Sequence, residues 1–140
     1  MTPPISATEA ALLPLTSDEE ILDRVAELLE RANQRQVWML FLDDHDVQLP
    51  LLIPISDYPT APNGDEAPAF AATIAAASRE IGAVGVVLIW ERYAGPAATA
   101  SDRAWAAAMT EACPRAGVKV RAQLLCHRSG VRLLDAAECS

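Results

Sequence analysis

The chain has 140 residues, 51% of them hydrophobic and 21% charged, with a formal net charge of −8. Such a composition is globular rather than disordered, and the length suits one domain around a single core. The acidic total argues against a general nucleic-acid binder, and 5% aromatic residues leave the core to Leu, Ile, Val and Ala.

Residues 1–15 are rich in Pro, Ala and Thr without a stable period and read as a flexible N-terminal arm. A single α/β domain is expected over 16–135, followed by a short tail over 136–140. The first helix opens on Thr16, Ser17, Asp18, Glu19 and Glu20, which hold two overlapping S/T-x-x-E capping boxes. Ile21, Leu22, Val25, Leu28, Leu29 and Ala32 form its apolar stripe, and Glu20 and Arg24 pair four apart on the wet side.

QVWMLFLD then reads as a strand covered on both faces. VQLPLLIPI follows as an edge strand, because Pro50 and Pro54 cannot donate to a ladder. Their even spacing turns both missing donors outward, leaving 49, 51, 53 and 55 to pair inward. SDYPTAPNGDEA is a long loop. A helix opening at Pro68 runs to about Ile81, buries Phe70, Ile74, Ala77 and Ile81, and is capped by Gly82. Residues 84–90 form a central apolar strand. Ser101 caps a helix with Trp105, Ala108, Met109 and Ala112 inward, whose last turn Pro114 should disturb. VKVRAQLLC alternates, placing Val118, Val120, Ala122, Leu124 and Cys126 on one face and Lys119, Arg121 and Gln123 on the other. Ser129 and Gly130 turn into a short strand over 131–134.

The order α-β-β-α-β-α-β-β predicts an α/β fold with a single mixed sheet of about five strands and three helices. The expected strand order is 2-1-3-4-5. The QVWMLFLD and LPLLIPI hairpin, the IWERY strand end, SDRAWAAAMTEA and the closing SGVRLL resemble uncharacterised small α/β proteins of actinobacteria. The resemblance covers about residues 35–135, implies a bacterial cytosolic origin and brings no activity with it.

Asp43, Asp44, His45 and Asp46 are the candidate metal ligands, three carboxylates and an imidazole that suit a divalent ion. The competing reading is a polar hairpin turn, since Asp side chains hydrogen-bond their own backbone. Ordinary crossovers put this cluster and Glu91 at opposite ends of the sheet, and only a 56–67 loop that recrosses the sheet joins them. The weak catalytic candidates are Glu91, Asp102 and His127, beyond the strand ends where α/β folds bind ligands. Read as structural, Glu91, Arg92, Asp102 and Arg103 form exposed ion pairs worth about 0–1 kcal/mol. Cys126 shares parity with the apolar face, so it reads as a buried hydrophobe rather than a thiolate beside His127.

The C-terminal excess of positive charge stands out. Residues 1–66 carry −10, residues 67–111 carry −1 and residues 112–140 carry +3. Lys119, Arg121, Arg128 and Arg132 are the candidate binding residues, suited to an acidic protein surface or to the acidic half of a second copy. No aromatic residue follows Trp105, so the stacking platforms of single-strand nucleic-acid binding are missing there. No apolar run approaches the about 18 residues of a membrane span. The first basic residue is Arg24, so the N-terminus lacks the charged region of a secretory signal. Cys113, Cys126 and Cys139 are an odd set without a C-x-x-C pair, pointing to reduced thiols in a cytoplasm.

The expectation is a cytoplasmic protein–protein interaction module without cofactor or catalysis, using its basic hairpin or an exposed sheet edge. The alternative is a metal-dependent phosphodiesterase- or nuclease-like enzyme using Asp43, Asp44 and Glu91. A second alternative is a small-molecule binder at the rim of Glu91 and Asp102.

Overall fold

A computed structural model describes residues 13–140. Three helices and five strands follow in the order α1 (Asp18–Leu29), β1 (Gln36–Leu42), β2 (Gln48–Ile55), α2 (Glu66–Ile81), β3 (Gly85–Glu91), α3 (Ala100–Arg115), β4 (Lys119–His127) and β5 (Gly130–Leu133). The sheet has the order β2-β1-β3-β4-β5. Only β3 and β4 pair in parallel, and every other neighbouring pair is antiparallel. Fold class and strand order are those expected from the sequence. Among the described residues no helix is long and apolar enough to cross a membrane.

The expected arm over 1–15 falls mostly outside the described residues. Its last residues are packed, because Pro14 bridges Val47 and Leu15 is buried with its N–H bonded to the Asp46 carbonyl at 2.7 Å. Ser17 caps α1 by accepting the Glu20 N–H, while the Thr16 and Ser17 hydroxyls donate to the Glu20 carboxylate. Ile21 and Val25 are buried as expected, but Leu28 is exposed. Arg24, expected on the wet side, is buried and donates to Gln48 Oε1 at 2.6 Å.

Two apolar layers sandwich the sheet. One joins Ala71, Ile74, Trp105 and Met109 of α2 and α3 to Met39, Phe41, Leu88 and Trp90. The other joins Ile21 and Val25 of α1 to Leu40, Leu42, Ile89, Leu124 and Cys126. α2 starts two residues before Pro68 and ends at Gly82, whose left-handed backbone (φ 73°) suits a residue without a side chain. α3 is capped by Thr99 rather than Ser101, because Asp102 completes a capping box with Thr99.

β4 departs most from the sequence reading. Val86 faces Val120 but Val87 faces Ala122, so β4 carries a bulge at residue 121. The extra residue switches parity. Val118 and Val120 pack on the α2 and α3 side, whereas Ala122, Leu124 and Cys126 pack toward α1. Gln123, expected on an outward face, is therefore buried under α3. It donates to the Ala106 carbonyl (3.0 Å) and Thr110 Oγ1 (2.8 Å) and accepts the Trp90 indole N–H (2.8 Å).

β2 is an edge, and Pro50 and Pro54 are exposed on it. Its pairing with β1 shifts register between Leu40 and Leu42, which limits the regular alternation to residues 52–55. Since Pro54 has no N–H, its pair with Trp38 is of the non-hydrogen-bonded type and Ile53 and Ile55 bond to β1. Amide exchange in the isolated chain should be slow at Ile53 and Ile55 and fast at Leu52. Protection of Leu52 equal to theirs would mean that another strand covers this edge.

Candidate functional site

The carboxyl ends of the parallel strands β3 and β4 gather most of the polar side chains that the sequence singles out. Glu91 ends β3 opposite Gln36, the first residue of β1. It is 4% exposed, and no cation among the described residues is bonded to it. Its carboxylate instead accepts four N–H groups: Asn33 N (2.8 Å) and Gln34 N (3.0 Å) on Oε2, Gln36 Nε2 and Trp38 Nε1 (both 2.8 Å) on Oε1. Burial pushes its pKa up, but the four donors outweigh burial and hold it below the usual glutamate value. With its acceptor positions filled by the protein, Glu91 is an anchor for the loop between α1 and β1.

The exposed pairs expected from the sequence, Glu91 with Arg92 and Asp102 with Arg103, are not found among the described residues; Arg92 pairs with Asp102 instead. Both are buried, with Arg92 Nε 2.9 Å from Asp102 Oδ2. The same Oδ2 accepts the Thr99 N–H at 2.8 Å, closing the cap of α3. The remaining nitrogens of Arg92 hold the intervening loop through the carbonyls of Ala97 (2.7 Å) and Ala94 (3.4 Å). Arg103, expected beside Asp102, is exposed. The small-residue loop after β3 is therefore closed from inside by one guanidinium.

His127 is half-buried at the end of β4, and its Nδ1 accepts the Ser129 N–H at 3.3 Å. Burial first, then the guanidinium groups of Arg92 and Arg132, lower its pKa. Cys126 lies in the core on the α1 side, and burial pushes its thiol up to about 11. It is no thiolate at neutral pH.

Asp43, Asp44, His45 and Asp46 lie at the other end of the sheet. Leu42 faces Gly85 while Gln36 faces Glu91, so the whole β1–β3 ladder, roughly 20 Å, separates Asp43 from Glu91. The loop over 56–65 does not recross the sheet. Tyr58 stacks edge-on against Trp90 and Trp105, Arg35 lies 3.8 Å above the Tyr58 ring, and Trp105 Nε1 donates to the Pro59 carbonyl. Asp43 instead accepts the N–H groups of His45 (2.8 Å) and Val47 (3.0 Å), which depress its pKa, the Val47 contact most. Among the described residues no group of three or more His, Cys, Asp or Glu is placed to hold a metal.

The basic residues of the β4–β5 hairpin divide into two kinds. Arg132 makes a two-pronged bond to Glu138 (2.9 and 2.7 Å) and donates to the Pro96 carbonyl at 2.6 Å. That contact, with the Asp135 N–H, draws Glu138 down to about 2. Arg121 reaches Asp18 at 2.8 Å and the Thr16 carbonyl at 3.3 Å, tying β4 to the start of α1. Neither guanidinium is free for a partner. Lys119 and Arg128 are exposed and, among the described residues, without an ion pair, but they lie at opposite ends of β4, roughly 26 Å apart. The expected four-residue patch is not one surface.

Two surfaces remain that sequence reasoning missed. β5 faces only residues 124–127 of β4, and Leu134 N bonds to Gln123 O, so residues 119–122 have no outer strand among the described residues. A groove of about 770 Å³ runs beside them. At the carboxyl end, Arg31, Asn33, Tyr93 and Arg128 line a polar cleft of about 640 Å³. A hydrophobic–polar alternation carries no sign of a bulge, and Arg31 and Arg128 are 97 positions apart, so only the fold brings these features out. No protein-family model matches the chain, and no curated protein matches it.

The buried pair sets an energetic expectation. Asp102→Ala strands the Arg92 guanidinium and removes the cap of α3, a change that costs about 3–5 kcal/mol. Denaturant unfolding of the variant measures it, and a loss below about 1 kcal/mol would mean that the pair is solvated.

Proposed function

We propose that this protein is a non-catalytic interaction module that takes an extended, acidic segment of another protein as an added strand along the open half of β4. The observation behind the proposal is that β5 stops short, leaving residues 119–122 at the sheet edge without a partner strand among the described residues. Unpaired strand N–H and C=O groups bind extended chains through main-chain hydrogen bonds, with side-chain pockets supplying the selectivity. Here the neighbouring groove is lined by small apolar residues, among them Val118, Val120, Ala122 and Ala136.

Charge favours an acidic occupant. Lys119 is exposed on this edge and, among the described residues, without an ion pair. Pairing of two identical copies is disfavoured at both edges. Two β4 edges would oppose like charges across a bulge, and the β2 edge carries Pro50 and Pro54. Three free cysteines fit our placement of the protein in a reducing cytoplasm.

The enzymatic reading has less support. Its carboxylates stand at opposite ends of the sheet, Glu91 is filled by four donors, and Asp43 is occupied in its turn.

The test is Lys119→Glu, which folds normally because the side chain is exposed. A partner captured from the native cytosol by the wild type should be bound at least about fivefold more weakly by the variant, and more weakly at higher salt. In the wild-type complex the amides of residues 119–122 should become protected from exchange. Protection confined to other surfaces, or undiminished binding by the variant, would reject this edge as the interface.

A further inference from the structure

The polar cleft at the carboxyl end of β3 and β4 carries an inference of its own, independent of the sheet-edge reading. Arg31 enters it from the loop after α1, Arg128 from the turn after β4, and Tyr93 from the loop after β3. Three loops thus converge, and backbone bonds stitch them together. Ala32 N donates to the His127 carbonyl at 2.8 Å, and Arg128 N donates to the Ala94 carbonyl at 2.9 Å. Each arginine is the immediate neighbour of a residue in the first of these bonds. Glu91 fixes the far side of the same loop by accepting the N–H groups of Asn33 and Gln34.

The entry to the cleft is also shaped at a cost. Glu30 has φ 54° and ψ −68°, with Arg31 N bonded to the Leu29 carbonyl. This is a tight γ-turn at a residue with a side chain, a conformation that stores about 1–3 kcal/mol of strain. It turns the chain sharply out of α1 and delivers Arg31 to the cleft.

The two guanidinium groups have, among the described residues, no ion pair and no side-chain hydrogen bond, in contrast to Arg92, Arg121 and Arg132. Glu30 is, among the described residues, the only carboxylate on the cleft wall, so this lining carries a net positive charge on a protein of −8. Tyr93 is 69% exposed, the most exposed large apolar side chain among the described residues. Guanidinium forks match the oxygens of a phosphate group, and an open aromatic ring offers a face to a planar one.

We infer that this cleft binds a small phosphate monoester with a planar ring, a mononucleotide by chemical class, the phosphate between Arg31 and Arg128 and the ring against Tyr93. The Asn33 amide and Glu30 carboxylate on the wall are available to the sugar hydroxyls. Glu91 and Asp102 touch no ligand here. Glu91 is a positioning residue, because it holds the loop that carries Arg31.

The probes are adenosine monophosphate, ribose 5-phosphate, adenosine and succinate, titrated into the full chain at low salt and followed by backbone amide shifts. The monophosphate should bind saturably, shift Tyr93 and Arg128, and bind at least about tenfold more tightly than any of the other three. Arg31→Ala and Arg128→Ala should each weaken it about tenfold or more, Arg128→Lys by less, and Tyr93→Ala should lower it to the level of ribose 5-phosphate. All three side chains are exposed, so thermal unfolding of the variants should match the wild type and separate lost binding from lost folding. A linear, unsaturable response means adventitious anion contact only and overturns the proposal. So does succinate or adenosine binding as tight as the monophosphate, equal affinity for ribose 5-phosphate, or binding that survives both arginine substitutions.

Discussion

The Glu91 carboxylate is the constraint on which the carboxyl end of this molecule depends. It sits in the sheet layer at the end of β3, where an unpartnered charge costs several kcal/mol. No cation among the described residues answers it. Two backbone N–H groups, an amide and an indole N–H do so instead, and all four come from the segment that leads into and begins β1. One side chain therefore sets where β1 enters the sheet and where the loop carrying Arg31 lies. A general base needs a free acceptor within reach of its substrate, and Glu91 has spent its acceptors on the fold.

The other charges at this end obey the same economy. Arg92 holds Asp102 and two loop carbonyls, and Arg132 holds Glu138 and a third. These interactions bind the loops after β3 and β5 to the helix cap and to the C-terminal segment. They explain how a loop of small residues, with little side chain to bury, keeps a definite shape. What is left over is informative. Lys119 beside the unpaired half of β4, and Arg31 with Arg128 in the cleft, are charges for which the fold has no evident use. The proposed partner edge and the proposed phosphate site rest on that remainder.

Much of the fold was legible in the sequence because it is carried by short-range rules. Ser17 and Glu20 announce the start of α1, Gly82 the end of α2, and Pro50 with Pro54 the edge strand. The continuous apolar run before Glu91 marks a central strand. What could not be read depends on tertiary geometry. The bulge at residue 121 is invisible to alternation and moved Gln123 from the surface into a buried network. Arg121 and Asp18, 103 positions apart, meet only because β4 passes the start of α1. The Glu91 site left one usable trace. Gln36 and Trp38 are two apart on β1, so their N–H donors share a face, and a polar residue opening an otherwise apolar strand needs a partner. That trace points to a buried acceptor without saying which one.

The most direct measurement is the unfolding free energy of the wild type and Glu91→Gln as a function of pH. The folded-state pKa of Glu91 lies below its unfolded value, so its contribution is fully present above about pH 4.5 and is lost as the pH falls through the folded value. The amide of Gln keeps the shape but turns a donor toward donors. The account predicts that the variant is less stable by at least about 2 kcal/mol at neutral pH, and that the two curves converge on acidification. Equal stability at neutral pH, or a gap that widens as the pH falls, would contradict it and reopen Glu91 as a group held for chemistry.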